Sequence, residues 1–154
     1  MRNKTVKIVL SVIGIFVVLF LVRVFIEGNR VPELGVRDGK LAEISSKPNN
    51  VSSQADDPNK KVATLTFKDS PAETMNALKR AVADYGGGKI AAESEDYLYV
   101  IFTTSLMRYR DDVEFWLDVE NKLVHFRSSS RAGYSDMGLN RKRYDSIAEL
   151  YQGL

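Results

Sequence analysis

The chain has 154 residues, 44% of them apolar, and a formal charge of +2 from 22 Lys/Arg and 20 Asp/Glu. Without cysteine it has neither a disulfide framework nor a thiolate metal site, and with one histidine, His125, an all-protein zinc site would need carboxylates for every other ligand. Setting aside Arg2, Lys4, Lys7, Arg23 and Glu27 leaves 18 basic (22 less 4) and 19 acidic (20 less 1) residues, so the remainder is near neutral and gives no electrostatic reason to expect nucleic-acid binding.

Val6 to Val22 is apolar apart from Lys7, Ser11 and Gly14, and Val24-Phe25-Ile26 extends the run past Arg23. That approaches the ~20 residues a helix needs to cross a hydrocarbon core. Residues 1–27 are therefore expected to be a short cytoplasmic N-terminus and a single-pass transmembrane anchor. Arg2, Lys4 and Lys7 keep the N-terminus inside by the positive-inside bias. The C-terminal domain then lies outside the cytoplasm, in the periplasm if the cell is Gram-negative. A cleaved signal peptide is the rival reading, but no A-x-A-like site or lipobox cysteine follows and the core is long for an h-region. Arg23 is expected to snorkel to the headgroups, the alternative being an acidic residue of a neighbouring membrane protein.

Residues 28–61 read as a juxtamembrane connector and extended loop. Gly28, Gly35, Gly39, Pro32, Pro48 and Pro58 punctuate them, and their apolar residues follow no regular period. They lie along the domain surface or act as a flexible tether. From Val62 the signals become regular, and 62–154 is expected to form the α+β domain. Val62 to Phe67 alternates as a strand, with Ala63, Leu65 and Phe67 on one side. Ser70-Pro71-Ala72-Glu73 is a capping box with proline at the first helical position. Met75, Leu78, Val82 and Tyr85 follow at helical spacing, and Gly86 is the stop. Gly86-Gly87-Gly88 follows a helix where a phosphate cradle would precede one, so it is not read as an anion site. No cofactor is expected.

Lys89 to Ala92 and Tyr97 to Thr104 form a hairpin around Glu95-Asp96, the second strand apolar on both faces. Asp112 to Val119 and Lys122 to Ser128 form the next, around Glu120-Asn121. Counting outward, Val119 opposes Lys122, Leu117 opposes Val124 and Phe115 opposes Phe126 on an apolar face. On the other face Trp116 opposes His125, Glu114 opposes Arg127 and Asp112 opposes Ser129. Tyr97 and Tyr99 join that block if their strand is adjacent. This face is either solvated, with Glu114 and Arg127 as a cross-strand ion pair worth ~0.2–1 kcal/mol, or one wall of a groove against the loop that follows. His125 beside Trp116 reads as a packed sheet histidine, since no spacing fixes a partner for it as a general base.

That loop, Ser128 to Arg143, is S-S-S-R-A-G-Y-S-D-M-G-L-N-R-K-R, almost devoid of apolar content. Serines beside arginines bind phosphate or carboxylate, or tie a long loop to a sheet. Asn140 is a candidate cap for a final helix with Tyr144, Ile147, Leu150 and Tyr151 on its apolar side. Arg141, Lys142 and Arg143 then fall in its first turn, where the macrodipole disfavours cations and an acidic partner is wanted, Asp136 or Asp145 within the chain or an anionic ligand outside it.

The run D-D-V-E-F at Asp111 to Phe115, followed by the serine–arginine run and G-x-S-D-x-G-x-N-R, resembles the family known as domain of unknown function 1499. Arg127, Ser128, Ser129, Ser130, Arg131, Gly133, Ser135, Asp136, Gly138, Asn140 and Arg141 carry the resemblance, and Pro48 to Gln54 (P-N-x-V-S-S-Q) looks like its N-terminal motif. The resemblance begins near Leu41. Family members often have cysteines in that N-terminal motif, where this chain has Ile44 and Asn50, so a disulfide or metal role there is absent. It implies an envelope or membrane setting and no established reaction.

The expected architecture is a membrane-anchored α+β domain, an antiparallel sheet of about five strands with helices on one face. The expected function is a non-enzymatic accessory or binding module held at the lipid bilayer, contacting either a larger integral membrane protein complex or a lipid through the polar–aromatic face, with a small anionic ligand as a further candidate partner. Its candidate surface is Asp112, Glu114, Trp116, His125, Arg127, Ser128, Ser129, Ser130, Arg131, Ser135, Asp136, Asn140 and Arg141. The alternative is an envelope hydrolase or transferase acting on an anionic substrate through Ser128–Ser130, Arg131 and Asp136.

Overall fold

The structure, a computed structural model, describes residues 2–105 and 107–154. Among these it forms α1 (Arg2–Asn29), β1 (Val36–Arg37), β2 (Lys40–Leu41), β3 (Asn50–Ser52), β4 (Leu65–Thr66), α2 (Pro71–Tyr85), β5 (Gly88–Glu93), β6 (Tyr97–Thr103), β7 (Arg110–Asp118), β8 (Leu123–Ser130) and α3 (Leu139–Gln152). The main sheet runs β3-β8-β7-β6-β5, with β4 also on β8, and every neighbouring pair is antiparallel. The fold is the expected α+β class, with six strands in the sheet where about five were expected.

Among the described residues α1 is the one helix long and apolar enough to cross a membrane. Its candidate span is Asn3–Asn29, with mean hydropathy 2.9 and none of that apolar window buried in the protein. Length and composition fit a membrane anchor and a signal sequence alike. Arg23 finds its partner on its own helix: its Nε lies 2.8 Å from Glu27 Oε1, one turn away.

The stretch read as connector and loop contributes β1, β2 and β3. Asp38-Gly39 turns β1 into β2 with φ of 52° and 72°, the two positive values a type I′ turn requires. β3 then pairs Asn50, Val51 and Ser52 with Ser129, Ser128 and Arg127. Asn49 to Ser53 and Ala55 are buried. After it, Val62 and Leu65 point into the core while Ala63 is exposed, so the expected alternation through 62–67 does not hold. Lys61 bridges Ser52 in parallel and β4 pairs with β8 through Leu65 and Thr66, so the intervening residues are not regular strand.

α2 starts as its sequence requires. Ser70 Oγ accepts the Glu73 N–H at 3.2 Å, Pro71 opens the helix, and Gly86 ends it at φ 81°. Met75, Leu78 and Val82 meet Leu98, Val100 and Phe102 of β6, Val113, Phe115 and Leu117 of β7, and Val124 and Phe126 of β8 in one core, with Tyr144, Ile147 and Tyr151 of α3. Both helices thus lie on the same face of the sheet. The β7–β8 register is the one reached by counting: Asp112↔Ser129, Glu114↔Arg127, Phe115↔Phe126, Trp116↔His125 and Leu117↔Val124. The ladder stops at Asp118↔Leu123, because Lys122 takes φ 54° and makes a four-residue turn of 119–122.

α3 begins one residue before Asn140. Gly138 is the cap residue, at φ 79° and with no side chain to offer. Asn140 faces inward instead, and Asp136 does the capping: its carboxylate accepts the N–H of Gly138 at 3.0 Å and of Asn140 at 2.7 Å.

Candidate functional site

Strand alternation divides the motif residues between two sides of the sheet. On the side away from the helices, β6 and β7 set Tyr97 opposite Trp116 and Tyr99 opposite Glu114, which completes the expected block with Asp112, His125, Arg127 and Ser129. This face is not solvated. Glu114, fully buried, accepts the Gly35 N–H at 2.8 Å, the Tyr97 hydroxyl at 2.7 Å and Arg127 Nη1 at 2.9 Å. Asp112, 1% exposed, takes the Tyr99 hydroxyl at 2.5 Å and a two-pronged contact from Arg131, Nε to Oδ2 at 2.8 Å and Nη2 to Oδ1 at 2.7 Å. Gly35 supplies one donor and Glu43 O accepts from Arg127 Nη2 at 3.4 Å, so the 28–47 stretch covers the charges. Burial, then the Asp112 hydrogen bond, pushes the Tyr99 hydroxyl up to about 12, and burial with Glu114 pushes Tyr97 higher still. Both phenols remain donors at neutral pH.

Trp116 and His125 stack, ring centroids 5.0 Å apart at 16°. His125 Nδ1 lies 3.2 Å from Ser53 Oγ and Nε2 3.8 Å from Asp118 Oδ2. The order Ser–His–Asp has the outline of a nucleophile, base and orienting acid, but the distances favour a packed histidine. Ser53 is buried and its Oγ already accepts the Phe126 N–H at 2.9 Å. Asp118 is beyond hydrogen-bond reach of the ring and holds Asn121 instead, at 3.1 and 2.8 Å. Burial lowers the His125 pKa below the usual 6.5, so the imidazole is neutral at pH 7.

On the helix side a second network closes around Asn140, which is fully buried. Its Oδ1 accepts from the Ser128 hydroxyl and from Arg143 Nη1 at 2.8 Å. Its Nδ2 is within bonding distance of Asn49 O (2.9 Å), Ser130 Oγ (3.0 Å) and Asp136 Oδ2 (2.7 Å). Arg143 Nη2 meets Asp111 Oδ2 at 2.6 Å and its guanidinium lies 4.7 Å above the Phe102 ring. The acidic partner of the basic first turn is thus Asp111, not Asp136 or Asp145. Arg141 instead donates to the carbonyls of Asn59 (2.9 Å) and Lys61 (3.0 Å). Ser135 stays in its loop, its Oγ accepting the Met137 N–H at 3.2 Å.

A third junction links the motif to α1. Arg131 Nη1 donates to Gly28 O at 3.0 Å, Arg110 Nη1 to Gly28 O at 3.3 Å and to Asn29 Oδ1 at 2.9 Å. Two arginines thereby satisfy a carbonyl that the helix end leaves free, on the side where the macrodipole favours cations. The sequence does not single out Arg110, because its acceptors lie 81 and 82 residues away. Beside this junction is an open cleft of about 550 Å³ whose lining includes Arg30, Lys47, Glu43, Ser129 and Arg131. Among the described residues no group of three or more His, Asp and Glu is placed to hold a metal ion.

A family model described as protein of unknown function (DUF1499) matches residues 40–150, from β2 into α3. No curated protein and no solved structure matches the chain. The match spans the second hairpin strand of the covering segment, the whole six-stranded sheet and the serine–arginine motif, and the chain belongs to the DUF1499 family.

Proposed function

We propose that the chain is a binding module held at a membrane, without an activity of its own, and an accessory partner of a larger membrane protein complex. Its N-terminus is cytoplasmic and its α+β domain lies on the other side. Arg2, Lys4 and Lys7 at the N-terminal end of the apolar helix support that orientation. The observation that carries the reading is the internal engagement of the motif. Arg127, Arg131 and Arg143 each meet a buried carboxylate, and Ser128 and Ser130 bond to Asn140. An acyl- or phosphoryl-transfer enzyme needs a nucleophile with a free base beside it. Ser129 faces the cleft, but the carboxylate on its strand partner, Asp112, is already held by Arg131 and Tyr99.

A partner protein has a sheet edge to pair with. β5 lies at the end of the strand order and all six of its residues are exposed, with a register shift between Ile90 and Ala92 that bends the edge. A small anionic ligand has Arg30 and Lys47 in the cleft.

Purification of the full chain from its membrane in mild detergent tests this reading. Stable co-purification of a defined set of membrane proteins, weakened by Ile90→Glu on the exposed edge, is the expected result. A protein that runs alone and turns over in an esterase or phosphatase screen, with the turnover lost in Ser129→Ala, overturns it in favour of the hydrolase alternative.

A further inference from the structure

We propose that the end of the domain that meets α1 is itself a lipid-contact surface. Met107 and Arg108, which follow β6, and the loop from Ala132 to Met137 rest in the headgroup layer beside the helix, and so fix the orientation of the domain on the membrane. This inference rests on the membrane reading of α1.

Depth comes first. The apolar run of α1 ends at Ile26, and Gly28 is two residues, about 3 Å, further along the helix axis. The headgroup layer on one side of a bilayer is about 5–8 Å deep. Gly28 O therefore lies within that layer, and Arg131 and Arg110 are bonded to it. Arg110 opens β7 and Arg131 follows the last residue of β8, so this end of the sheet stands at the membrane surface. Thr103 pairs with Arg110 and the Thr104 N–H reaches Tyr109 O at 2.9 Å, so Thr104 and Tyr109 lie past the same end of the sheet, as does the chain after Ser130.

The chemistry of these two loops suits a lipid surface. Met137 is 90% exposed, Tyr134 73% and Met107 38%, although each is large and apolar or amphipathic. Tyrosine favours the headgroup level, where its ring is half-immersed and its hydroxyl stays wet. Arg108 is exposed beside Met107, and Arg30 at the helix exit. Of the acidic groups nearby, Glu27 is paired with Arg23, and Asp136 is turned into the start of α3. Arg108 and Met137 also share an unusual backbone: both take left-handed φ, 56° and 54°, which costs a non-glycine residue roughly 1–2 kcal/mol. The strain displays a cation in one loop and an unbranched apolar side chain in the other.

The chain has no cysteine, so single cysteines can be labelled without background. Tyr134→Cys, Met137→Cys and Met107→Cys in the full chain carry an environment-sensitive fluorophore, in vesicles of phosphatidylcholine with phosphatidylglycerol that contain doxyl-labelled lipid. Phe16→Cys in α1 and Val119→Cys in the turn at the opposite end of the sheet are the references. The expected result is blue-shifted emission at 134 and 137 with lipid quenching several-fold above that at 119. Quenching at 16 but none above the 119 level at 134, 137 and 107 overturns the lipid surface and leaves the membrane reading standing. Loss of quenching at 16 as well overturns both. Probes at 134 and 137 that are shielded only when a protein partner co-purifies overturn the lipid surface in favour of a protein interface.

Discussion

Asp111 and Arg143 each have 3% or less of their side chain exposed, so removing one partner strands the other as a bare charge in the core. Arg143→Met should destabilise the domain by roughly 3–5 kcal/mol, while Asp111→Leu combined with Arg143→Met should recover most of the loss. Denaturant unfolding followed through Trp116, the single tryptophan, reads both. His125 contributes a pH dependence of known sign. Burial depresses its folded pKa, so as pH falls below 6.5 the unfolded chain takes up the proton first. Its contribution to stability is complete above pH 6.5 and is lost as pH falls from there through the lower folded value. His125→Phe, which can keep a ring against Trp116, should flatten that segment of a stability–pH curve; an unchanged slope would assign it to another group. Glu114–Arg127 was legible in the sequence because a two-strand register is a matter of counting. Asp111–Arg143 was not, because the partners lie 32 residues apart on different elements and no local period links them.

Local chemistry decided which elements could be read. α2 carries its own start and stop, and Ser70→Ala should cost it about 1 kcal/mol in a thermal or chemical melt. α3 begins on an unusual cap, a left-handed glycine with an aspartate two residues upstream serving as acceptor, so Asn140 looked like the cap and is instead the hub of the core network. The segment 28–61 lacks periodicity because its strands are two or three residues long and gain their order from β8 and from each other. Its one clear local signal is Asp38-Gly39, the dipeptide a tight hairpin selects. At the head of β5, a Cβ on Gly88 would come within 2.8 Å of Phe102 and 2.9 Å of Val100, both buried. Gly88→Ala should therefore destabilise by about 1–3 kcal/mol despite the exposure of β5 itself. A variant as stable as the parent would show that the β5–β6 pair yields at this point.

For the whole molecule, the motif does more joining than displaying. Its arginines tie the far face of the sheet, the start of α3 and the end of α1 to one another, so the domain is held against the helix end. Arg110→Ala removes two of those ties without stranding a buried carboxylate. It should broaden the distance distribution between spin labels at Phe16 and Val119 while leaving the unfolding midpoint close to the parent's; an unchanged distribution would mean Arg131 suffices alone. The lock itself is most directly tested by the unfolding free energy of Asn140→Ala in the full-length protein in micelles. That change leaves Ser128, Ser130, Arg143 Nη1, Asp136 and Asn49 O each short of a partner, at ~1–3 kcal/mol for each group that water cannot reach. A loss of at least ~3 kcal/mol is the predicted result. An Asn140→Ala protein that unfolds like the parent would contradict it, and would return Ser128–Arg143 to the role of an open site.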